Sequence, residues 1–360
     1  MKKPPAAAPS GRGGKTPRGG RTIAAAEIAP VEVPPPLAVT LPAPASPVNW
    51  KPEHGRPYPF FLEFVVTEQC NLRCVYCMNL DGIAPPAPEQ EVRYDEMLAI
   101  ARACAERGVN HVWVTGGEPL GRKGIFQFLT DLAKINGVRD VHLTTNGILL
   151  KEALPSLDRS GVNFLDVHLD TLRSLEYHKV TKQDWLYRVQ EGLAAAEDAG
   201  FTRIGLHVTV VRGFNEDELV DFAMLTKMGP YQVRFAEVLP RTISEPVDRL
   251  QYLVPREEIF SRIDSFERLH RVDVDDGVPG TEYYRFHDGI GEIAILGPSG
   301  DCVTAAGPRL RVGPTGEILD SVGGFVGNLK EILAEGGPLK LGERLEQIAG
   351  LRRPEAPAKA

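Results

Sequence analysis

Between residues 61 and 238, six short apolar runs are separated by longer amphipathic stretches. The runs have the length and β-branched composition of buried strands, and the stretches have the period of helices. Repeated strand–helix units form parallel sheets with right-handed crossovers. Six units, fewer than the eight of a closed barrel, predict an α/β fold, a partial (β/α)6 TIM-like barrel. Predicted strands are 61–67, 110–115, 140–145, 164–169, 203–211 and 232–238, and predicted helices are 93–107, 125–135, 150–157, 183–199 and 217–227.

Distinctive residues stand where these predicted strands end. The carboxyl ends of parallel strands meet at one edge of a sheet, where ligands bind. The sequence therefore predicts one site at this edge. Its residues are Cys70–Cys77 after strand one, Gly116–Pro119 after strand two, Thr144–Gly147 at strand three, Asp170 and Thr171 at strand four, Gly213–Asn215 after strand five, and Glu237 with Pro240 at strand six.

The segments on either side of the core, residues 58–240, differ from it in composition. Residues 1–57 hold 13 of the 30 prolines and almost no aromatic residues, so they cannot bury enough apolar surface to order themselves and are predicted to be a disordered tail. Residues 241–350 lose the repeat, with a helix near 254–263 and strands at 283–285, 292–296 and 310–312. They are predicted to be a smaller α+β domain that covers the substrate, followed by a loose tail at 351–360.

Net charge and apolar content exclude several classes of protein. Residues 1–22 carry six basic side chains and no acid, so a net charge of −7 leaves −13 on the rest of the chain, which argues against nucleic-acid binding. No apolar run approaches the roughly 18 residues of a membrane span. Five cysteines in 360 residues are too few for a disulfide scaffold, so a reducing, cytoplasmic location is expected. Cys104 shares the apolar face of the first helix with Met97, Leu98, Ala101 and Ala105, which predicts core packing.

Three cysteines crowd into eight positions as C-x3-C-x2-C, at Cys70, Cys74 and Cys77. Iron–sulfur clusters usually have four cysteine ligands, so three thiolates would leave one iron open to another ligand. A structural zinc site completed by His54 is the alternative, although zinc sites usually show paired C-x2–4-C spacings. The spacing favours an iron–sulfur cluster.

The triplet, with Tyr76 before its third cysteine, resembles the signature of the radical S-adenosylmethionine (SAM) superfamily, and Gly116-Gly117-Glu118-Pro119 resembles that superfamily's second motif. The resemblance implies one [4Fe–4S] cluster whose open iron binds the methionine part of SAM. It implies that an external one-electron reductant, flavodoxin- or ferredoxin-like, drives cleavage to a 5′-deoxyadenosyl radical that abstracts hydrogen from a substrate.

The same resemblance implies roles for the cofactor-binding residues. Gly116, Gly117 and Glu118 would meet the methionine ammonium, which a carboxylate complements. Glu118 has the alternative role of a helix N-terminal acid. The Tyr76 backbone would contact the adenine, and Asn146 with Thr144 or Thr145 would contact the ribose or carboxylate. His168 would either face the cofactor or be packed within its strand.

Over nearly 280 residues the chain is also similar to the GTP cyclase of molybdenum cofactor biosynthesis, in stretches such as 144–147, 169–172, 212–218, 234–240 and 282–285. That family's second cluster needs three C-terminal cysteines. Here only Cys302 stands in that region, while Ala305 or Ala306 and Ser321 fall at the other places. Carbon- and hydroxyl-bearing side chains do not replace thiolates on iron, so a single cluster is predicted.

The residues that this resemblance assigns to triphosphate binding are altered too. Glu63, His111, Trp113 and Gly205 stand where the family has basic residues, and His207 replaces an asparagine. The cations on which triphosphate recognition depends are therefore missing.

The remaining candidate substrate contacts are Arg122, Arg234, Arg309, Arg311 and Trp113. The arginines would bind a carboxylate or one phosphate, or are surface charges. Trp113 would stack on a base or sugar, or belongs to the core. The predicted substrate is a small nucleoside, nucleotide or sugar-like molecule that undergoes decarboxylation, dehydration, epimerisation or cyclisation. The alternatives are a peptide-modifying maturase, suggested by 313–316 and 327–333, a GTP cyclase, and a non-catalytic scaffold.

Overall fold

A computed structural model describes residues 61–74, 86–238, 252–274, 281–296, 309–320 and 324–349. Its twelve strands form one sheet in the order β12-β11-β10-β1-β2-β3-β4-β5-β6-β9-β8-β7. The strands are β1 Phe61–Val65, β2 His111–Thr115, β3 Asp140–Thr145, β4 Phe164–His168, β5 Ile204–Val210, β6 Tyr231–Glu237, β7 His270–Val272, β8 Glu282–Arg285, β9 Glu292–Leu296, β10 Arg309–Val312, β11 Glu317–Leu319 and β12 Phe325–Asn328.

Strands β1 to β6 lie side by side in chain order, and each is parallel to the next. This arrangement confirms the predicted α/β class with a mostly parallel sheet. The helices are α1 Tyr94–Ala105, α2 Ile125–Ala133, α3 Leu150–Leu157, α4 Ser174–Thr181, α5 Leu186–Asp198, α6 Leu219–Met228, α7 Arg256–Phe266 and α8 Leu329–Ala349, the last with non-helical backbone at Gly336 and Gly337.

The two faces of the sheet differ because side chains alternate along a strand. On β1, Leu62 and Phe64 belong to the apolar core that includes helix side chains such as Met97 and Phe128. Cys104 lies in this core, as predicted, and burial raises the pKa of its thiol to about 12. The alternate residues of β1 to β6 form the other, inner face, which is rich in polar side chains.

The inner face is concave. The Arg234 guanidinium on β6 lies 5.9 Å from the centre of the Trp113 ring on β2. These strands are four places apart in the sheet, which would separate them by about 19 Å if the sheet were flat. The parallel strands therefore curl into a partial barrel whose interior holds Trp113 and Arg234.

The described strands of the predicted C-terminal domain continue the same sheet. β10 pairs in parallel with β1, and β9 pairs in parallel with β6, so each edge of the six-stranded core is extended. The described residues all belong to one compact unit, Pro52–Ala360. The predicted tails 1–57 and 351–360 lie outside the described residues.

One stretch differs from the predicted helices. The predicted helix 183–199 begins only at Leu186, and a second helix, α4, precedes it. The eight-residue α4 presents few apolar side chains, of which Tyr177 and Val180 are buried. Its weak amphipathic pattern explains why it was not predicted.

The lower part of the barrel interior is packed with stacked rings. His142 lies between Trp113, at a centroid distance of 4.2 Å, and Phe164, at 4.0 Å. Burial lowers the pKa of His142 well below its ordinary value, and the nearby Arg234 charge lowers it further. His142 is therefore neutral near pH 7.

This buried histidine predicts a pH-dependent stability. The unfolded chain binds a proton at His142 below about pH 6.5, whereas the native protein does not, so the free energy of unfolding decreases as the pH falls through that value. Relative to His142→Leu, the wild type is expected to lose stability with a slope approaching 1.4 kcal/mol per pH unit below pH 6.5. Anaerobic denaturant unfolding between pH 7.5 and 5.5 measures this difference, and a constant difference would contradict it.

Candidate active site at the carboxyl ends of the strands

A cavity of about 430 Å³ opens where the parallel strands end. This volume lies in the range of small-molecule sites. The cavity brings together most of the cofactor-binding residues predicted from the sequence. Those that line it are Cys70, Cys74, Gly116, Gly117, Thr144, Asn146 and His168, together with Arg311 from the predicted substrate contacts.

The loop after β1 presents Cys70 and Cys74 as partly buried cysteines. Cys70 Sγ accepts hydrogen bonds from the Leu72 backbone N–H (3.4 Å) and the Asn146 side-chain amide (3.7 Å). Donors aimed at a sulfur favour the thiolate, the form that ligates metals. Cys77 and Tyr76, the other two predicted residues of this motif, lie outside the described residues.

Gly116 and Gly117 allow the turn after β2 to pack directly against this loop. A Cβ atom on Gly116 would lie 2.6 Å from the Thr67 carbonyl oxygen, and one on Gly117 would collide with the Gln69 backbone. The Gly117 N–H donates to the Thr67 carbonyl at 2.7 Å. The two glycines therefore provide close approach between the turn and the cysteine loop.

The Glu118 side chain is buried behind the cavity wall rather than lining it. One carboxylate oxygen accepts from Leu120 N (3.0 Å) and Thr145 Oγ1 (2.8 Å), and the other accepts from Asn146 N (2.8 Å). Burial raises the pKa of this carboxyl, while the three hydrogen bonds oppose the rise. Glu118 thus joins the end of β2 to the end of β3, and its predicted contact with the methionine ammonium stays a prediction.

Asn146 also connects two parts of the site. Its side-chain amide donates to Asn71 Oδ1 at 2.7 Å as well as to Cys70 Sγ. Asn146, which was predicted to contact the ribose or carboxylate of SAM, therefore holds the cysteine loop in this structure.

Arg122 does not reach the cavity. Its guanidinium donates to the backbone carbonyls of Val66 and Val92, each at 2.6 Å, and pairs with the buried Glu91 carboxylate at 3.2 Å. Glu91 in turn accepts from Thr67 Oγ1 at 2.5 Å. The sequence prediction of Arg122 as a substrate contact is corrected, because all three guanidinium nitrogens are used to brace the end of β1.

His168 lines the cavity with a quarter of its side chain exposed, and its Nε2 lies 3.0 Å from Asp170 Oδ1. Asp170 is itself fixed, because the Thr209 N–H donates to the same oxygen at 2.8 Å. A histidine held by a buried carboxylate has a defined ring orientation.

Tyr177 of α4 was not singled out from the sequence, yet it lines the same cavity. It is 4% exposed, and its hydroxyl has no hydrogen-bond partner among the described residues. Burial, together with the nearby Cys74 and Asp170, raises the pKa of this phenol. A buried donor without a partner beside the cysteines indicates a ligand in this cavity.

The predicted substrate arginines are paired with carboxylates inside the barrel. Arg234 Nη1 lies 2.5 Å from Asp166 Oδ1, and both side chains are buried. Arg309 and Arg311 each lie 3.6 Å from a Glu63 oxygen. Gly205 is required beside the first pair, because a Cβ there would collide with the Asp166 carboxylate.

Trp113 is 1% exposed, and its Nε1 donates to Thr144 Oγ1 at 2.9 Å. One of its faces is stacked with His142, and Phe61 lies against the ring at 5.6 Å. The prediction that Trp113 stacks on the substrate is therefore corrected in favour of its alternative, a core residue.

Comparison with known proteins identifies the family. The chain matches the Radical SAM superfamily over residues 64–226. It is 37% identical to the GTP 3′,8-cyclase of Geobacter sulfurreducens over 300 residues, which is 81% of this chain and 89% of that protein. It is 34% identical to the GTP 3′,8-cyclase of Pelotomaculum thermopropionicum, over 81% of this chain and 86% of that protein.

Solved structures with the same fold include SuiB of Streptococcus suis bound to S-adenosylmethionine, with a TM-score of 0.51, 18% identity, and coverage of 72% of this chain and 60% of that one. They also include anSMEcpe with bound AdoMet, with a TM-score of 0.54, 14% identity, and coverage of 81% and 83%. The chain belongs to the radical SAM superfamily and is homologous to the GTP 3′,8-cyclases.

Members of this superfamily are enzymes that use a [4Fe–4S] cluster and SAM, and so does this chain. The residues present fit both groups: two thiols of the cysteine triplet face the cavity, one with N–H donors on its sulfur, and Tyr177 offers a hydroxyl that has no hydrogen-bond partner among the described residues. No helix in the part of the chain that the structure describes is both long and apolar enough to cross a bilayer.

The bracing role of Arg122 makes a direct prediction. Arg122→Gln leaves Glu91 as a buried charge without its cation, which is expected to lower the free energy of unfolding by about 3–5 kcal/mol. Because the braced strand end leads into the cysteine loop, iron and sulfide per chain after anaerobic reconstitution are expected to fall as well. Denaturant unfolding and iron analysis measure the two effects.

Arg93→Gln is the matched control, because the Arg93 side chain is itself exposed and pairs with Asp95 and Glu96 at the start of α1. It is expected to change stability by less than about 1 kcal/mol and to leave the iron content unchanged. Equal iron content in the two variants would show that Arg122 does not support the cysteine loop.

Proposed function

We propose that this radical SAM enzyme abstracts hydrogen from a small nucleoside, nucleotide or sugar-like substrate that carries fewer phosphates than GTP. Cys70, Cys74 and Cys77 would hold a single [4Fe–4S] cluster, and SAM would occupy the cavity beside Gly116, Gly117 and His168. The bound cofactors supply a strongly oxidising carbon radical, and the protein shields and orients the reactants. A flavodoxin- or ferredoxin-like protein of the cytoplasm would supply the electron.

The observation that carries the substrate class is the pairing of charges inside the barrel. Arg234 is neutralised by Asp166, and Glu63 lies against both Arg309 and Arg311. Burial keeps His142 and His207 neutral, because it lowers the pKa of both rings well below the ordinary value. Among the described residues, two carboxylates therefore lie against these three arginines, so none of the three arginines is an isolated cation.

A triphosphate carries about four negative charges and needs several cations or a metal ion to replace its water. The paired arginines do not provide them without breaking buried ion pairs, which is costly. A substrate with one carboxylate or one phosphate needs fewer cations than a triphosphate and so disturbs fewer of these ion pairs. The pairing of the barrel arginines thus favours a substrate with fewer negative charges than GTP.

GTP cyclisation is the second candidate, because curated relatives of 34–37% identity are named GTP 3′,8-cyclase. The residue changes at Glu63, Trp113, Gly205 and His207 argue against it. A peptide-modifying role has no support beyond the shared fold.

Anaerobic reconstitution followed by SAM cleavage with dithionite tests the proposal. Nucleosides, nucleoside monophosphates and sugar acids are each added, and 5′-deoxyadenosine and substrate consumption are measured. At least one of these is expected to be consumed in proportion to 5′-deoxyadenosine and at least tenfold faster than GTP. Iron analysis is expected to give about four irons per chain.

Cys74→Ala is the negative control and is expected to abolish 5′-deoxyadenosine formation. Consumption of GTP alone would establish the second candidate, and consumption of peptides alone would refute the small-molecule assignment. About eight irons per chain would reveal a second cluster.

A further inference from the structure

The inner face of β3, β4 and β5 carries three buried polar side chains that each have at least one nitrogen or oxygen atom without a hydrogen-bond partner among the described residues. Both ring nitrogens of His142, both of His207, and Asp166 Oδ2 have no hydrogen-bond partner among the described residues. His207 is 2% exposed and His142 is 3% exposed. Buried polar atoms without partners are rare in proteins and costly to stability, so five on one face of three adjacent strands indicate a missing partner.

These atoms belong to the barrel face whose strand ends line the cavity. His142 Nδ1 is 4.0 Å from Asp166 Oδ2. The His207 ring lies 5.4 Å from that of His168, its register partner on β4, and Thr144 is the register partner of Asp166. Thr144 and His168 both line the cavity, so they form the floor that separates it from the unpartnered atoms.

The chemistry of these groups favours hydroxyl groups over phosphate. Each neutral imidazole offers one donor and one acceptor, and the free Asp166 oxygen accepts. The Asp166 charge is already balanced by Arg234, so no excess cation is present to attract a phosphate. Hydroxyl groups both donate and accept, and they satisfy such a mixed set.

The arrangement of the rings favours a sugar over a base. His142 is covered on its two faces by Trp113 and Phe164. Its nitrogens are therefore presented at the edge of a complete stack, which leaves no face of His142 against which a nucleobase would lie. The His142 ring edge, with one donor and one acceptor, is able to form hydrogen bonds with adjacent hydroxyl groups of a sugar.

We propose that His142, Asp166 and His207 form a subsite for the hydroxyl groups of a sugar, reached from the cavity when the His168 side chain rotates and gives up its contact with Asp170. This inference rests on the proposed function and extends it, because it orients the substrate with its sugar directed into the barrel. It also gives a role in sugar recognition to His207, which stands where the GTP cyclase family has an asparagine.

Thermal unfolding of the cluster-loaded enzyme tests the subsite without any substrate. His207→Leu removes two buried polar atoms that lack partners, and its melting temperature is expected to equal or exceed that of the wild type. Thr171→Val is the matched control, since the buried Thr171 hydroxyl donates to Glu218 at 2.7 Å, and it is expected to melt at least about 2 °C lower. A fall for His207→Leu as large as that of the control would overturn the proposal, because it would make His207 a structural residue.

Calorimetric titration of the reconstituted enzyme with SAM tests recognition. Guanosine and adenosine are compared with their 2′,3′-dideoxy forms and with GTP. At least one nucleoside is expected to bind tenfold or more tightly than its dideoxy form and than GTP, and His207→Leu is expected to remove the preference for the hydroxyl groups. Equal binding of the dideoxy forms, a preference that persists in His207→Leu, or no nucleoside binding would each overturn the subsite.

The two proposals fail in different ways. Absence of 5′-deoxyadenosine formation with every small molecule contradicts the proposed function. Formation of 5′-deoxyadenosine with a nucleoside or sugar acid, without sensitivity of binding to the sugar hydroxyls, leaves that function in place and contradicts only the subsite.

Discussion

The ends of the first three parallel strands are tied to one another by a short chain of hydrogen bonds, and the geometry of the site depends on it. Gly117 N donates to Thr67 O at 2.7 Å, and Glu118 N donates to Gln69 O at 2.8 Å. The Glu118 carboxylate then accepts from the Asn146 N–H, and the Asn146 side chain reaches back to Asn71 and Cys70. Because these links return to the cysteine loop, a change at any one strand end alters the position of the thiols.

The inner face of the barrel is built at a cost to stability. A buried ion pair such as Arg234–Asp166 rarely stabilises a fold relative to apolar residues of similar size, and the unpartnered atoms of His142 and His207 add to the cost. The outer face of the same strands, with Leu62, Phe64 and their equivalents, is apolar except at strand ends such as Thr145 and Glu237. Departures from good packing that are confined to one face mark that face as the functional one.

The sequence was sufficient for features that depend on local periodicity. Strand β3 and helix α3 have the predicted bounds, and the predicted face of α1 is buried. Placement of the motifs at strand ends also followed from the sequence, because the carboxyl ends of parallel strands share one edge. Short elements with weak patterns, such as α4 and the three-residue β11, were not predicted.

Side-chain contacts between residues that are distant in the chain were not predictable from the sequence either. Whether Arg122 turns to the cavity or to Glu91, and whether Trp113 faces a ligand or His142, is decided by contacts between residues far apart in the chain. No sequence spacing encodes those contacts. Arg234 likewise meets Asp166 over the intervening strand β5, where Gly205 leaves room for the pair.

The edge pairing of β10 with β1 changes how the acid at position 63 is interpreted. Considered alone, Glu63 on β1 would repel an anionic substrate. Arg311 is its register partner on β10 and Arg309 lies beside it, so the carboxylate offsets part of the positive charge that would otherwise attract phosphate. The acid and the two arginines therefore act as one unit, and the charge that a substrate meets is set by their pairing across the edge of the barrel rather than by any of the three residues separately. A site in which anion-binding groups are kept but internally balanced discriminates by hydrogen bonding more than by charge, because exchanging an internal ion pair for a substrate anion brings little net electrostatic gain.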